Sequence, residues 1–291
     1  MRRLFLTLSL LTVTTCGLLN SGCISLGDQI LRVSDGAEVT RAEVLGDVKG
    51  VHLVFVGELH DRRSHHKGQL AVISALTEAR IPLAIGLEMF RQESQDDLDR
   101  WIAGELSLKD FQRLYYDNWG FPWPLYRDIF LYARKHKIPM IGLNVPREIT
   151  RQVARQGFAS LTPEQIGELP KVTCSVDAAY MDFIRRSFEA HAHEDMNLTY
   201  FCEAQLVWDT AMAWNLLTFL RENPKHTVVV LAGHGHAWKR GIPEQIQRQA
   251  TVAYRVILPE EPGRLERKNV SLEDTDYLWL LRRILGLRLA F

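Results

Sequence analysis

Hydrophobic residues along this chain follow two alternating patterns. Short apolar runs rich in valine and isoleucine end in glycine, proline or asparagine, as expected of strands buried on both faces of a parallel sheet. Between most of these runs, apolar residues recur every three or four positions, the spacing of an amphipathic helix. Strands are predicted at residues 51–56, 83–87, 140–143, 227–231 and 252–258, and helices at 64–80, 125–137 and 199–222. This alternation predicts an α/β fold with a mostly parallel sheet flanked by helices.

Two intervals interrupt the alternation and predict an inserted, smaller helical subdomain. In the first, Ser94 and Ser107 each precede an aspartate by three residues, which approximates a capping box. In the second, Thr162 is followed by a proline at the first helical position, and a further helix is predicted over residues 177–193. The helical subdomain is therefore assigned to residues 91–120 and 147–197, and the α/β core to residues 46–90, 121–146 and 198–260.

The remaining C-terminal residues, 261–291, are predicted to form a tail. Residues 278–291 are apolar except for three arginines and a glycine. They suit either a short amphipathic helix on a membrane surface or a terminal helix packed on the core. We expect packing on the core.

The N-terminus has the pattern of an export signal. Arg2 and Arg3 precede an uncharged apolar stretch, residues 4–19, which is short for a membrane-spanning helix. Small residues then lead to Cys23, as at a bacterial lipoprotein cleavage site, although Asn20 departs from the usual pattern. We expect a signal peptide over residues 1–22, lipidation of Cys23 and a tether over residues 23–45. A plain secretory signal or an uncleaved anchor is the alternative.

Composition narrows the possible functions. Of 291 residues, 46% are hydrophobic and 24% charged, which is enough for a sizeable core. Basic and acidic residues balance at 35 each with no basic run, so nucleic-acid binding is not expected. After export, Cys174 and Cys202 would remain in a compartment where disulfides persist, either paired or as buried thiols. No Cys-x-x-Cys motif supports a thiolate metal site.

Polar side chains follow the predicted strands where a parallel sheet places its ligand sites. Two of these strand ends carry the same Gly-x-x-His motif, Gly57 to His60 and Gly233 to His236. We expect the glycines to let the backbone turn sharply. Two histidines, Glu58 and Glu88 would then converge on one cleft, together with Asp209 from the preceding helix, Asn144 and Arg147.

This convergence admits two interpretations. His60, Glu88 and His236 could hold a divalent metal, with Glu58 as general base. Alternatively, His60 is a hydrogen-bonded cleft residue, and Glu88 accepts from backbone N–H groups or pairs with Arg147.

Several motifs together resemble the ChaN-type haem-binding lipoproteins of the Tiki/TraB superfamily. The resemblance extends over about residues 45–260 and rests on GELHD, LEMF, LNVPRE, AQLVWDTAMA and GHGHAW, in that order. It implies an α/β domain with a smaller helical domain, haem binding, haem-linked homodimerisation and a role in haem or iron uptake. In the wider superfamily, paired Gly-x-x-His motifs and a glutamate form a metal-dependent hydrolase site, which would correspond to His60, His236 and Glu88, with Glu58 nearby.

The resemblance also implies that a tyrosine binds the haem iron and that histidines or lysines contact the propionates. Tyr180 is the first candidate, on a segment that also carries His191 and His193, and Tyr126 is the alternative. Tyr180 and His191 would lie about 16 Å apart along a helix, so they cannot bind the same iron. Either tyrosine could instead be a core residue. Without a Cys-x-x-Cys-His motif, haem would be bound non-covalently.

We therefore expect an exported, lipid-anchored haem-binding protein, with a metal-dependent hydrolase as the alternative. Ile24 after the expected lipidated cysteine favours the outer membrane, facing the periplasm. An outer-membrane haem receptor or transporter is the expected partner.

Overall fold

The computed structural model describes residues 29–167, 169–170, 178, 180–182, 184–185 and 197–280. In this part of the chain, eight strands form one sheet in the order β2-β1-β8-β7-β3-β6-β4-β5. The strands are β1 Gln29–Arg32, β2 Ala37–Val39, β3 Leu53–Glu58, β4 Leu83–Arg91, β5 Met140–Asn144, β6 Thr227–Gly233, β7 Tyr254–Pro259 and β8 Tyr277–Leu280.

Helices cover both faces of this sheet. They are α1 Arg41–Val48, α2 Arg63–Glu78, α3 Gln95–Ala103, α4 Leu108–Asn118, α5 Trp123–His136, α6 Arg147–Gln156, α7 Pro163–Gly167, α8 Leu198–Glu222, α9 His234–Ala237 and α10 Ile242–Gln247, with short 3₁₀ turns at Gln92–Ser94 and Phe158–Ser160. The helices α2 to α5 contribute to the hydrophobic cluster on one face of the sheet, and α8 to α10 to the cluster on the other.

The predicted fold class is confirmed. Each of the five predicted strands is present, and β3, β4 and β6 are buried along nearly their whole length, as continuous apolar runs require. The strands β7, β3, β6, β4 and β5 pair in parallel. Helix α8 begins where predicted because the Asn197 side chain accepts hydrogen bonds from the N–H groups of Thr199 and Tyr200.

The expected tether and tail differ from the structure. The tether predicted over residues 23–45 instead contains β1, β2 and the start of α1. The tail predicted from residue 261 contributes β8, which lies between β1 and β7, so residues 278–280 form a strand and not a helix. These three strands have three or four residues each, too few for an alternating pattern to show in the sequence. Residues 281–291 lie outside the described residues.

The first part of the predicted helical subdomain belongs to the main core. Trp101 of α3 stacks on Phe111 of α4, with ring centroids 4.0 Å apart, and Phe111 packs against Phe130 of α5. All three rings are fully buried in the same cluster as β4. Ser107 caps α4 as predicted, whereas the Ser94 hydroxyl donates to the Asn118 side chain and caps no helix. Most of the helix predicted over residues 177–193 lies outside the described residues.

Candidate functional site

The two Gly-x-x-His motifs lie side by side at the carboxyl edge of the sheet. Strands β3 and β6 are parallel neighbours, and their register places Gly57 opposite Ala232 and Glu58 opposite Gly233. The chain leaves both strands at this level, so His60 and His236 follow the strand ends at the same edge. The predicted convergence of the two motifs is therefore confirmed in the described part of the chain.

Each glycine makes room for the other motif. A Cβ atom on Gly233 would lie 2.8 Å from Cε1 of His60, and a Cβ atom on Gly57 would lie 3.3 Å from the Cα of His234. Neither glycine has a positive φ, and Gly233 has a φ of −51°. No left-handed backbone conformation therefore requires glycine at either position, and the expected role in the turn stays a prediction. Glycine is favoured because a Cβ atom on Gly233 would collide with His60, and one on Gly57 would lie 2.5 Å from the side chain of Leu258.

Glu58 is the buried centre of a hydrogen-bond network. Its Oε1 contacts Nδ1 of His60 at 2.8 Å and accepts from the hydroxyl of Tyr126, while Oε2 accepts from the Gln69 amide at 2.7 Å and lies 3.4 Å from Nε2 of His66. Burial alone would raise the pKa of Glu58, but the contacts with His60 and His66 outweigh it and hold the pKa well below its usual range. Glu58 is therefore an anion that orients His60.

His60 is the accessible member of this network. Its side chain is 27% exposed and lies between the rings of Trp119 and Phe121, with centroid distances of 5.0 and 4.9 Å. Burial lowers the pKa of His60, but the negative charges of Glu58 and Glu88 raise it by more than burial lowers it. The net pKa is therefore above the ordinary histidine value. With Nδ1 held by Glu58, the Nε2 atom remains for contact with a ligand.

Glu88 joins the two motifs from β4. Its Oε2 accepts from the backbone N–H of Gly233 at 2.5 Å, and its Oε1 lies 3.7 Å from Nε2 of His236. The backbone carbonyl of Glu88 accepts from the Asn144 side chain at 2.9 Å. The interpretation in which Glu88 accepts from a backbone N–H group is therefore correct. Arg147 donates instead to the carbonyl of Asn118.

His236 is oriented by a carboxylate from α8. Its Nδ1 lies 2.6 Å from Oδ1 of Asp209, and Trp208 packs edge-on against its ring at 5.6 Å. Burial would lower its pKa, yet Asp209 and Glu88 together raise the pKa of His236 to about 9. At neutral pH it is an imidazolium held between two carboxylates.

Two buried histidines on α2 complete the site and were not predicted. His65 accepts a hydrogen bond from the backbone N–H of Leu59 through Nδ1 at 2.9 Å, and burial lowers its pKa to about 4, so it is neutral. The ring of His66 lies 4.1 Å from that of Tyr126. Gln69, one turn further along α2, donates to both Val56 and Glu58. In the sequence, the polar run directly after the first motif contains two consecutive histidines, and this feature could have indicated that they belong to the site.

The predicted metal site is not supported. Among the described residues, no group of three histidine, cysteine, aspartate or glutamate side chains is arranged to hold a metal ion. His60, Glu88 and His236 do share the cleft. However, the carboxylate of Glu88 already faces the imidazole of His236 as an ion pair. The cleft is therefore a network of paired charges in this structure.

The two candidate haem ligands occupy different places. Tyr126 is 0% exposed, and its hydroxyl donates to Glu58. Tyr180 is 4% exposed and stacks on Trp238, two residues after His236, with ring centroids 6.4 Å apart. The other predicted residues, His191, His193 and Cys23, lie outside the described residues. Cys202 is buried in α8, and because Cys174 is not described, their pairing stays a prediction.

A groove of about 670 Å³ lies between α8 and the carboxyl end of β5. Both apolar and polar side chains line it, among them Val145, Trp214, Asn215 and Glu93, and Trp214 is 43% exposed. The volume lies within the range of small-molecule sites. Neither Tyr126 nor Tyr180 lines it, so it does not supply a tyrosine ligand for haem.

Comparison with known families decides the assignment. Residues 44–246 match the sequence model of the family described as "Haem-binding uptake, Tiki superfamily, ChaN". The chain belongs to this ChaN family. The match spans the strand-end cleft, α8 and the Tyr180 segment, and it confirms the resemblance found in the motifs. No curated protein matches the chain.

One solved structure of a ChaN protein has the same fold as this chain. The structure titled "Cofacial heme binding to ChaN of Campylobacter jejuni" superposes with a TM-score of 0.70 at 19% identity, covering 87% of this chain and 96% of that one. Erythromycin esterase EreC in an open conformation matches with a TM-score of 0.48 at 15% identity, over 77% of this chain and 76% of its own. The type III effector HopBA1 matches with a TM-score of 0.48 at 11% identity, over 89% and 98%. Within the described residues, no helix is long and apolar enough to cross a membrane.

Proposed function

We propose that this protein binds haem non-covalently and serves haem or iron uptake. The observation that carries the proposal is the family match over residues 44–246, together with a superposition that covers nearly all of a ChaN structure described as binding haem cofacially. The chain has no Cys-x-x-Cys-His motif for covalent attachment. The protein's own residues would supply an axial ligand and contacts to the propionates.

Tyr180 is the better candidate for the iron ligand. A phenolate suits ferric haem, and Tyr180 already stacks on an aromatic ring beside the cleft. The Tyr126 hydroxyl is instead engaged by Glu58, so its release would leave a buried carboxylate short of a donor. Since Tyr180 is 4% exposed, haem binding requires its ring to leave Trp238. His191 and His193 follow on the same segment and would contact the propionates.

A second copy of the chain would complete the haem site. Cofacial binding places two haem groups face to face, and a homodimer in which each chain supplies one tyrosine is the simplest arrangement of this kind. The 670 Å³ groove beside α8 contains neither tyrosine, so a haem site at Tyr180 would use another surface, which a second copy could complete. Lipidation of Cys23 would attach this dimer to the outer membrane, facing the periplasm, close to a haem receptor or transporter.

A haem titration tests the proposal. The chain from Ile24 onward, which retains every described residue, should give a saturable Soret band, a high-spin ferric tyrosinate spectrum and a doubling of mass in sedimentation. Tyr180→Phe keeps the ring but removes the ligand oxygen, so it should abolish the tyrosinate band. Tyr126→Phe and His60→Ala serve as matched controls and should retain the tyrosinate band.

Three results would count against this assignment. Survival of the tyrosinate band in Tyr180→Phe would exclude Tyr180, and its loss in Tyr126→Phe would transfer the role to Tyr126. Weak, unsaturable binding without a change in mass would exclude haem binding as the function and leave a likeness of fold alone.

A hydrolase acting through the strand-end cleft is the second candidate. The observation that favours it is the pair of imidazoles, each oriented through Nδ1 by a buried carboxylate, Glu58 for His60 and Asp209 for His236. This is the arrangement required for general acid–base catalysis. His236, with a pKa of about 9, would donate a proton, and Nε2 of His60, whose side chain is 27% exposed, would accept one. Glu58 has both oxygens engaged, so it would position His60 and would not act as the base.

Hydrolysis of a probe ester such as p-nitrophenyl acetate tests this candidate. We expect His60→Gln and His236→Gln each to lower the rate by about a hundredfold, the usual contribution of one acid or base. Tyr180→Phe should not change the rate. Elemental analysis of the purified chain would show whether a metal is involved, and equal rates in wild type and both histidine variants would exclude the candidate.

A further inference from the structure

The groove between α8 and β5 is a second ligand-sized space at the carboxyl edge of the sheet. It has a volume of about 670 Å³ and lies where an open parallel sheet places its ligands. Gln92 and Glu93, which follow β4, line it together with Asn144 at the end of β5, and Trp214 and Asn215 line it from α8. None of the ionisable side chains of the strand-end cleft is among its described lining residues, so the groove is a separate space.

Trp214 gives the groove an aromatic surface that is already held in place. The residue is 43% exposed, and the guanidinium group of Arg221 lies 5.2 Å from the centre of its ring. Arg221 is fixed in turn by a hydrogen bond to the hydroxyl of Thr218 at 2.8 Å. Because the indole is already ordered, a ligand that packs on it loses little of its binding energy to ordering of this side chain.

The polar side chains around this ring have unused hydrogen-bonding groups. The Asn215 amide donates to the carbonyl of Leu143 at 2.8 Å, which orients the side chain, while its Oδ1 has no donor among the described residues. The Gln92 side chain makes no hydrogen bond in the described part of the chain, and Glu93 uses Oε1 alone, in its pair with Arg91. The groove therefore offers both donors and acceptors to a ligand.

The charge and the mixed surfaces of the groove select the class of ligand. Glu93 is the one charged side chain among its described lining residues, and Arg91 offsets that charge, so the groove does not attract an anion such as a phosphate or a haem propionate. A wholly apolar ligand would leave the amide groups without partners. A neutral sugar satisfies both surfaces, because its C–H face packs on an aromatic ring while its hydroxyl groups donate to oxygen atoms and accept from N–H groups.

We propose that this groove binds a neutral saccharide, with one sugar ring packed on Trp214 and its hydroxyl groups bonded by Gln92, Glu93 and Asn215. The volume is that of a site for a drug-sized ligand, which corresponds to about one or two sugar rings. The proposal does not rest on haem binding or on hydrolysis, because neither candidate tyrosine and no ionisable residue of the cleft is among the described lining residues. It gives the protein a second ligand of a different chemical class.

Isothermal titration calorimetry of the haem-free chain tests the proposal. The chain from Ile24 onward is titrated separately with cellobiose, maltose and N,N′-diacetylchitobiose, and at least one of them should bind saturably at a single site per chain. Trp214→Ala should weaken that binding about tenfold and Gln92→Ala about fivefold, the usual contributions of one packed ring and one neutral hydrogen bond. Both residues are exposed, so both variants should keep the fold, which an unchanged unfolding midpoint would verify.

The matched control removes an exposed ring outside the groove. Tyr116 on α4 is 52% exposed, and Tyr116→Ala should bind the saccharide like the parent chain. Binding of none of the three saccharides, or equal binding by Trp214→Ala and Tyr116→Ala, would overturn the proposal. So would tighter binding of adenosine than of any saccharide, or displacement of the bound saccharide by haem, because the groove would then belong to another ligand. Failure of the haem titration itself would change none of these results.

Discussion

The two Gly-x-x-His motifs have the same spacing but different surroundings. In the first, the carboxylate that orients His60 comes from the motif itself, two residues earlier, and it is also bonded by side chains of α2 and α5. In the second, the carboxylate that orients His236 comes from α8, and among the described residues Asp209 makes no other side-chain hydrogen bond. A shared motif therefore places two imidazoles alike without giving them the same partners.

This difference separates a structural role from a chemical one. Glu58 connects β3, α2 and α5, so the first motif is part of the core as well as of the cleft. Asp209 and His236 connect α8 to the end of β6, and the charge on His236 is lost only on the alkaline side, as the pH rises through about 9. The first motif should therefore dominate the stability of the fold, and the second its pH dependence.

Removal of the Glu58 carboxylate should be the most damaging single change in the cleft. Glu58→Ala leaves the Tyr126 hydroxyl and the Gln69 amide buried without their acceptor. It also removes the carboxylate that contacts both His60 and His66. We expect a loss of about 4 kcal/mol in the free energy of unfolding. Asp209→Ala removes one partner from a histidine that can lose its proton, and should cost about 2 kcal/mol. Urea-induced unfolding at neutral pH measures both values.

Asp61→Ala is the matched control, since this exposed carboxylate follows the first motif and, among the described residues, forms an ion pair with Arg62 alone. It should change stability by less than about 0.5 kcal/mol. If Asp209→Ala proved as costly as Glu58→Ala, the distinction between the two motifs would fail.

The second motif should control stability on the alkaline side. The folded pKa of His236 is raised from 6.5 to about 9, so its contribution is complete below pH 6.5 and is lost as the pH rises through 9. This shift corresponds to about 3 kcal/mol of unfolding free energy. The raised pKa of His60 acts in the same direction. Glu58, with a lowered pKa, contributes stability that is lost only in acid, as the pH falls below the ordinary carboxyl range.

Urea unfolding as a function of pH measures this loss. The double variant Asp209→Asn/His236→Gln removes both charges and should flatten most of the alkaline part of the profile, leaving the smaller decline due to His60. An alkaline decline of full size in the double variant would assign it to groups other than His236.

The cleft could be predicted from sequence because its position depends on strand ends. Each of β3, β4 and β6 is a continuous apolar run, so its end was visible, and parallel pairing then brings Glu58, Glu88 and the two motifs to one edge. The partners could not be predicted in the same way. His66 and Tyr126 reach Glu58 from helices whose rotation about their own axes depends on packing against the whole sheet.

Two other features could not be predicted from the sequence, namely the short outer strands and the partners of the residues considered as metal ligands. Strands β1, β2 and β8 are too short for a pattern, and they exist because residues far apart in the chain, Gln29 and Leu280 among them, pair with each other. A metal site was one of two interpretations, because residue types that can bind a metal converge at the strand ends. The structure instead satisfies Glu88 with the N–H group of Gly233 and His236 with Asp209, a choice among partners that residue type alone does not reveal.

Filling the space at the two glycines should give modest losses of stability that differ between them, and the loss at Gly233 should be the smaller one. On Gly57 a methyl group would lie 2.5 Å from the buried Leu258 and 3.3 Å from the His234 backbone, neither of which can move freely. On Gly233 it would meet the ring of His60, which is 27% exposed and can rotate outward. We expect Gly57→Ala to cost about 2 kcal/mol and Gly233→Ala about 1 kcal/mol of unfolding free energy.

The two glycine variants should also separate stability from the state of His60. In Gly233→Ala, the displaced His60 ring should lose its hydrogen bond to Glu58, so its pKa, measured by NMR titration, should fall toward the ordinary histidine value. In Gly57→Ala, the greater loss of stability should leave the pKa of His60 unchanged. If instead Gly57→Ala changed the pKa of His60 and Gly233→Ala left it unchanged, Gly233 would not be making room for the ring of His60. The need for each glycine would then lie within its own strand.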